Sequence, residues 1–591
     1  MRTSIATVSL SGGLTEKLTA AARAGFDGVE IFENDLVAAP QSPEEIRART
    51  ADLGLTIDLY QPLRDIEGVP DERRFARNLR RAEHKFRLMR RLGADTVLVC
   101  SSVAPDTAVD DALAAAQLHR LAQLAEEHGI RIAYEALAWG RHVDTYDHAW
   151  RIVEAAGHPA LGVCLDSFHI LARGSDPKGI EEIPGEKIFF LQLADAPQLA
   201  MDVLQWSRHY RCFPGQGAFD IPGLLGHVLR AGYTGPLSLE VFNDVFRQAD
   251  AGPTAVDARR SLLALQERTG LASALKPPVR PTGIAFAELV ASDPEPATAA
   301  LRALGFTRTA RHRTKPVDLW EQGEARVLVN SGAAAHRTGT HLAAIGLETP
   351  DPAAAAERAE ALLAPLIPRR RAPEDAPLDA IAAPDGTELF LCAAQGPSWR
   401  GDFARDTAPP RDGALRGIDH IALTQPWHQF DEASLFHCTV LGLDPEDSVD
   451  VADPYGLLRS RAFGTPDGAV RIAVAVGPAP TDETGRPQHL ALATDDLVTA
   501  VRHFRSAGGR TLPVPENYYD DLAARFPLGE AELATYKELD ILYDEDPGGA
   551  FRHCYTETSG RVFFELVQRD PGYRGYGAAN APVRLAAQRR A

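Results

Sequence analysis

The stretch "IAYEALA", residues 132–138, reads as a strand of apolar and small residues with one acid, Glu135, near its end. A carboxylate on a buried strand is costly unless it is paired or binds something. The surroundings say what kind of strand it is. "RIAYEAL" from Arg131 is the fifth of eight such runs. Before it come "SIATVSL" from Ser4, "GVEIFE" from Gly28, "TIDLYQP" from Thr56 and "TVLVCSS" from Thr96. After it come "LGVCLDSF" from Leu161, "KIFFLQLADA" from Lys187 and "PLSLEVF" from Pro236. Amphipathic helical segments such as "AAAQLHRLAQLAEEHG" lie between them, several stopped by Gly. Eight strands, each followed by a helical segment, predict an α/β fold, a (β/α)8 TIM barrel. A doubly wound sheet is the alternative, and count and size favour closure.

The chain's 591 residues are too many for that barrel alone. "ALKPPVRPTG" from Ala274 is a Pro-rich linker, and beyond it the pattern turns β-rich. That half echoes itself. "GIAFAEL" from Gly283 resembles "GIDHIAL" from Gly417, and "DGTELFLC" from Asp385 resembles "SGRVFFELV" from Ser559. The expected organisation is a barrel over 1–273, a linker over 274–281, a module over 282–395, a connector over 396–413 and a second module over 414–591. The net charge of −19 argues against nucleic acid as a partner. No run approaches the ~18 apolar residues of a membrane span, and the start lacks a signal-peptide core. Six scattered cysteines without a CxxC pair suit reduced thiols, so a cytoplasmic location is expected.

Chemistry on such a barrel gathers at the C-terminal ends of the strands. Those ends carry Glu135, Asp166, Gln192 and Glu240 on four consecutive strands. One acid there reads equally well as a loop-facing carboxylate. Four hard oxygen donors at corresponding places favour a divalent metal, Mg²⁺, Mn²⁺ or Co²⁺. His169, just past Asp166, suits proton transfer. Glu30 ends the second strand and Arg64 follows the third. "WSRHYR" from Trp206 offers Arg208, His209 and Arg211 after the seventh.

These motifs closely resemble a family. "VEIFENDL", "YEALAWG", "CLDSFHIL", "FLQLADAP", "WSRHYRCFPGQGAFD" and "SLEVFND" are similar to the xylose-isomerase-like barrel of bacterial 3-dehydroshikimate dehydratases of the long, fused type. The C-terminal half of that type resembles 4-hydroxyphenylpyruvate dioxygenase, so two α+β vicinal-oxygen-chelate-like modules are expected after the barrel. The resemblance implies Glu135, Asp166, Gln192 and Glu240 as metal ligands. Related sugar epimerases usually place His where Gln192 stands. The implied reaction is dehydration of 3-dehydroshikimate to protocatechuate, with His169 as base. Arg64 or Arg208 would serve as a clamp for the substrate carboxylate, and Glu30 and His209 are candidate substrate contacts from their places in the sequence. A sugar or inositol isomerase, epimerase or dehydratase on the same barrel is the competing reading.

In the last module His420, His489 and Glu565 fall on three strand-like runs. Two imidazoles and a carboxylate form the facial set of non-haem Fe(II) oxygenases, so a second divalent ion, Mg or Fe, is expected. "PVPENYYDDLAARF" from Pro513 adds to the dioxygenase resemblance, whereas the tail "GYRGYGAANAPVRLAAQ" departs from it. The middle module, with Phe286 opposite His420 and Leu391 opposite Glu565, reads as metal-less. A working Fe(II) dioxygenase on a scaffold barrel, and a homo-oligomer through the C-terminal modules, are further options.

Overall fold

Strands β1 (Thr3–Ala6), β2 (Gly28–Phe32), β3 (Thr56–Leu63), β4 (Thr96–Cys100), β5 (Arg131–Glu135), β6 (Leu161–Asp166), β7 (Ile188–Leu193) and β8 (Leu237–Leu239) pair in parallel and close into a barrel. The computed structural model describes residues 1–271, 275–332, 339–369, 371, 373, 375–395, 398–406, 413–454, 456–477 and 487–590. Two compact units divide the chain, Met1–Leu275 and Lys276–Ala591. The start of the expected linker, Ala274, lies outside the described residues, as do 396–397 and 407–412 of the connector.

Strand alternation explains the placement of the acids. Ile132 and Tyr134 join the cluster that packs against the surrounding helices, whereas Ala133 joins Leu59, Leu98, Cys100, Cys164 and Phe190 in a separate one. That second cluster is the interior of the barrel. Side chains alternate with period two. Glu135 therefore shares the inward face of Ala133, Asp166 that of Cys164, and Gln192 that of Phe190. The helices are held by ordinary local signals. Glu72–Leu92 starts on Asp71, whose carboxylate accepts from the Arg73 and Arg74 amides, and stops at Gly93 with φ 86°. It buries Phe75, Phe86 and Met89, each worth about 1.5–3 kcal/mol.

The second unit holds two mixed sheets of eight and nine strands. In the first, His341–Thr349 lies between Gly283–Val290 (antiparallel) and Glu388–Ala393 (parallel). In the second, Gln488–Thr494 lies in the same way between Leu415–Gln425 and Val562–Arg569. The repeat is thus one of sheet order as well as of sequence.

The register corrects one position. His420 and Glu565 both neighbour Ala491. In the middle module Phe286 and Phe390 both neighbour Gly346. Phe390, not Leu391, therefore stands at the place of Glu565. The sequence echo slipped by one because apolar letters match in either register, and a slip of one residue changes the face. The Phe286 and Phe390 rings lie 5.6 Å apart, and Trp399 packs 4.8 Å from Phe286. Gly346 makes room for them: a Cβ there would meet the Phe286 ring at 2.5 Å. Aromatic rings fill the place that polar ligands hold in the last module.

Candidate active site and second metal centre

Glu135, Asp166, Gln192 and Glu240 converge at the C-terminal mouth of the barrel, all buried. Glu135 Oε2 accepts from the Cys100 thiol at 3.3 Å. Its Oε1 is buried with no hydrogen-bond partner. Asp166 Oδ1 caps the short helix Ser167–Ala172 by accepting from the His169 amide at 3.1 Å. Asp166 Oδ2 and Glu240 Oε2 accept from one nitrogen of Arg211, at 2.8 and 3.1 Å. Arg211 is fully buried, anchored on Ser207 and stacked over Phe168 at 4.6 Å.

Three inward carboxylates thus face one fully buried cation. Burial, then the charges of Asp166 and Glu240, push the Glu135 carboxyl well above the usual carboxylate range. Burial likewise pushes Glu240 up to about 7, against the pull of Arg211. Burial also disfavours the charge on Asp166, but Arg211 and His169 outweigh it and hold that group low. Converging buried carboxylates with one orphaned oxygen, beside the hard donor Gln192, fit a divalent cation. Glu135, Asp166 and His169 bring three ligand atoms within 4.8 Å of one another.

Glu30 does not line this mouth. It is fully buried behind Gln192, accepting from Gln192 Nε2 at 2.6 Å, Gln61 Nε2 at 2.7 Å and the Ser238 hydroxyl. Holding the amide nitrogen fixes which end of Gln192 is left for a ligand, so Glu30 acts as a positioning group. His209 is also apart, on the surface and paired with Asp244 at 2.9 Å. Arg64 and Arg208 do line the cavity, beside Trp139, His169 and Phe242. Arg208 stacks over Phe242 at 5.2 Å. Burial and then the charges of Arg64 and Arg211 press its pKa down, so positive charge is crowded at the mouth. Arg211, rather than His209, completes the set. It lies just past the end of the helix Val203–His209, in the same basic run as Arg208.

His169 Nδ1 receives the Ala138 amide at 3.1 Å, and Arg211 approaches Nε2 at 3.2 Å. Burial lowers the pKa of the ring to about 3, so it is uncharged. The Trp139 ring packs 5.0 Å away. The cavity encloses about 20 Å³, room for roughly one water. A ring-sized substrate needs more room than this, so the lining, which includes Arg64, Arg208 and Trp139, has to open to admit it. A larger concavity of about 750 Å³ lies at the opposite end of the barrel, among the strand starts Thr56, Thr96 and Arg131. That end serves stability in such barrels.

In the last module His420, His489 and Glu565 are buried, with ligand atoms within 4.8 Å of one another. Glu565 Oε2 lies 3.2 Å from Nε2 of both imidazoles, yet has no hydrogen-bond partner. The outer groups prepare this arrangement. Asp419 takes His420 Nδ1 at 2.8 Å and is held by Arg569 at 2.8 and 2.9 Å. That bond leaves the Nε2 lone pair facing inward. A third histidine, His553, was not anticipated. Asn580 donates to its Nε2 at 2.9 Å, so its Nδ1 proton goes to Glu565 Oε1 at 2.6 Å. Burial lowers His489 to about 4, leaving a neutral imidazole. At His420 burial disfavours the charged ring, but the bonds to Asp419 and Glu565 outweigh it and raise the pKa, so protons compete with a metal there. Two imidazole nitrogens and one spare carboxylate oxygen otherwise fit a divalent ion. The tail packs beside them, with Tyr576 edge-on to His420 at 5.5 Å and Arg584 over Phe563 at 5.6 Å.

Comparison with known proteins agrees with this architecture. The xylose isomerase-like TIM barrel family matches residues 18–267. The N-terminal hydroxyphenylpyruvate dioxygenase family matches 275–392, and the glyoxalase/bleomycin resistance protein/dioxygenase superfamily matches 417–550. A 3-dehydroshikimate dehydratase of Pseudomonas putida is 44% identical, over 100% of this chain and 98% of its own. One of Pseudomonas aeruginosa is 45% identical, over 100% and 99%. A solved xylose isomerase-like TIM barrel/4-hydroxyphenylpyruvate dioxygenase fusion protein superposes with a TM-score of 0.90 at 42% identity, covering 100% of this chain and 99% of its own. Matched from end to end in sequence and in domain order, the chain belongs to the family of fused 3-dehydroshikimate dehydratases.

Proposed function

We propose that the barrel converts 3-dehydroshikimate to protocatechuate with a divalent cation held by Glu135, Asp166, Gln192 and Glu240. The observation that carries this reading is the buried, unpartnered Glu135 Oε1 among converging carboxylates, where burial and then the neighbouring charges push the Glu135 carboxyl up. When bound, the cation supplies Lewis-acid stabilisation of negative charge on the substrate ketone oxygen.

The chain's own residues do the rest. Arg64 and Arg208 at the mouth take the substrate carboxylate, for which guanidinium offers a paired fork. Trp139 and Phe242 wall the cavity against water. His169 is the assigned proton carrier. It is uncharged, with its Nδ1 lone pair taken by the Ala138 amide and its proton on Nε2, 3.9 Å from both Glu135 and Asp166; it accepts the substrate proton once that amide contact is released. A pKa near 3 means that it does not keep a proton. The proton taken from the carbon alpha to the ketone passes on to the departing β-hydroxyl, which leaves as water. Enolisation of the remaining ketone completes the aromatic ring. The net change is loss of one water, with no oxidant. The largely buried free thiols suit a reducing compartment such as the cytoplasm. No described helix is long and apolar enough to cross a membrane.

In the last module, His420, His489 and Glu565 would hold a second divalent ion. With Tyr576 and Arg584 beside those ligands, and a tail that departs from the dioxygenase pattern, little turnover of 4-hydroxyphenylpyruvate is expected.

Turnover of 3-dehydroshikimate by wild type, Glu135→Gln and His169→Asn, with exchange of the α-proton against deuterated solvent, tests the barrel assignment. Wild type should form protocatechuate. Glu135→Gln should lose product, and His169→Asn should lose exchange as well. Full exchange and turnover in His169→Asn would remove that residue from the mechanism.

A further inference from the structure

A second group of nitrogen and oxygen ligands sits beside the barrel mouth. Asp111 is the first residue of the helix Asp111–Glu127, which follows β4. His142 lies in the loop after β5, and His148 lies in the helix Tyr146–Ala156 that this loop leads into. Both imidazoles place Nε2 on the same carboxylate oxygen, Asp111 Oδ1, at 2.6 and 2.9 Å. Their rings meet edge to face, with centroids 4.8 Å apart at 84°.

We propose that Asp111, His142 and His148 form a transition-metal site that pins the loop after β5 to the helix after β4. The distances are close to those needed. A tetrahedral zinc ion with bonds of about 2.0–2.1 Å sets its ligand atoms roughly 3.3 Å apart. Each histidine nitrogen therefore has to move less than ~1 Å away from the carboxylate. Binding through Nε2 uses the tautomer with the ring proton on Nδ1.

Access is open: Asp111 is 55% exposed and the two imidazoles 13% and 14%. Two imidazoles and one carboxylate select zinc, nickel or copper over magnesium, unlike the oxygen-rich cluster in the barrel. A fourth position remains for water.

The location gives the site a consequence. The loop between β5 and His142 carries Ala138, whose amide holds His169 Nδ1, and Trp139, which packs on the same ring. An ion at Asp111, His142 and His148 fixes the far end of this loop. It thereby restrains Trp139, which lines the cavity and packs on His169.

The test uses the full chain in excess Mg²⁺, with added Zn²⁺, alongside His148→Asn and, separately, Asp111→Asn. Zinc retained after desalting is counted per chain, and hydrogen exchange over 138–148 is followed with and without zinc. Unchanged circular dichroism without zinc shows that each variant is folded. Wild type should retain about one more zinc per chain than either variant, and only in wild type should zinc slow exchange over 138–148. Equal zinc in wild type and both variants overturns the proposal, and so does exchange in wild type that zinc leaves unchanged.

Discussion

Protons and the barrel cation should compete for Glu240, and the competition has a calculable size. The free carboxyl ordinarily titrates at 4.5; in the fold, burial raises it to about 7. Below that pH the group carries a proton that a cation has to displace. Each pH unit below ~7 then costs about tenfold in affinity, so binding should strengthen roughly 100-fold between pH 5 and pH 7. Glu135, pushed above its usual range as well, adds to the slope. The sign is fixed: acids with raised pKa values give weaker metal binding as the pH falls. Isothermal titration with Mn²⁺ at several pH values measures it, in the His420→Ala chain so that the second site is silent. Repeating the titration in buffers of different ionisation enthalpy counts the protons released. Glu240→Gln should bind more weakly at pH 7 and show a flatter pH dependence. Affinity independent of pH between 5 and 7, with no proton release, would refute the reasoning.

Arg211→Met removes the buried cation between Asp166 and Glu240, and the metal-free chain should lose about 3–5 kcal/mol in denaturant titrations. Arg211 helps to hold Asp166 below its usual range, so the stability from that carboxylate is lost as the pH falls through its folded value. In the variant the acid-unfolding midpoint should move to higher pH. Glu30→Gln should leave the fold intact but release the Gln192 amide, weakening cation binding by about 10- to 100-fold, read by metal titration. His420→Ala should lose one bound divalent ion by elemental analysis while barrel turnover persists. Coupled loss of dehydration would show that the last module supports the barrel site.

The barrel strands were legible as short apolar runs between helical segments, and the donors as polar residues at or near the ends of those runs. Glu135 can be placed inward from the parity of Ala133 alone. The depth of a residue behind the mouth was not legible. Glu30 reads as a strand end in sequence, but β2 continues to Phe32, so it lies two residues short of the end and sits behind Gln192 as the acceptor for two amides and a hydroxyl. His209 and Arg211 are near neighbours in one basic run, and only their side of the helix end separates a surface ion pair from the centre of the cluster. In the last module the three ligands were readable from their strands. His553 was not, because its role depends on a tautomer set by Asn580, far along the chain. The shift from Leu391 to Phe390 shows the weakness of matching apolar strands by letter: pairing with a third strand decides the face.

The most direct test strips the full-length protein of metal, offers it 3-dehydroshikimate and then adds back Mg²⁺, Mn²⁺ or Co²⁺ while protocatechuate is followed by its ultraviolet absorbance. The account predicts no product from the stripped protein, and turnover restored by a hard divalent ion in wild type but not in Glu135→Gln. Full turnover without metal, or equal restoration in Glu135→Gln, would contradict it.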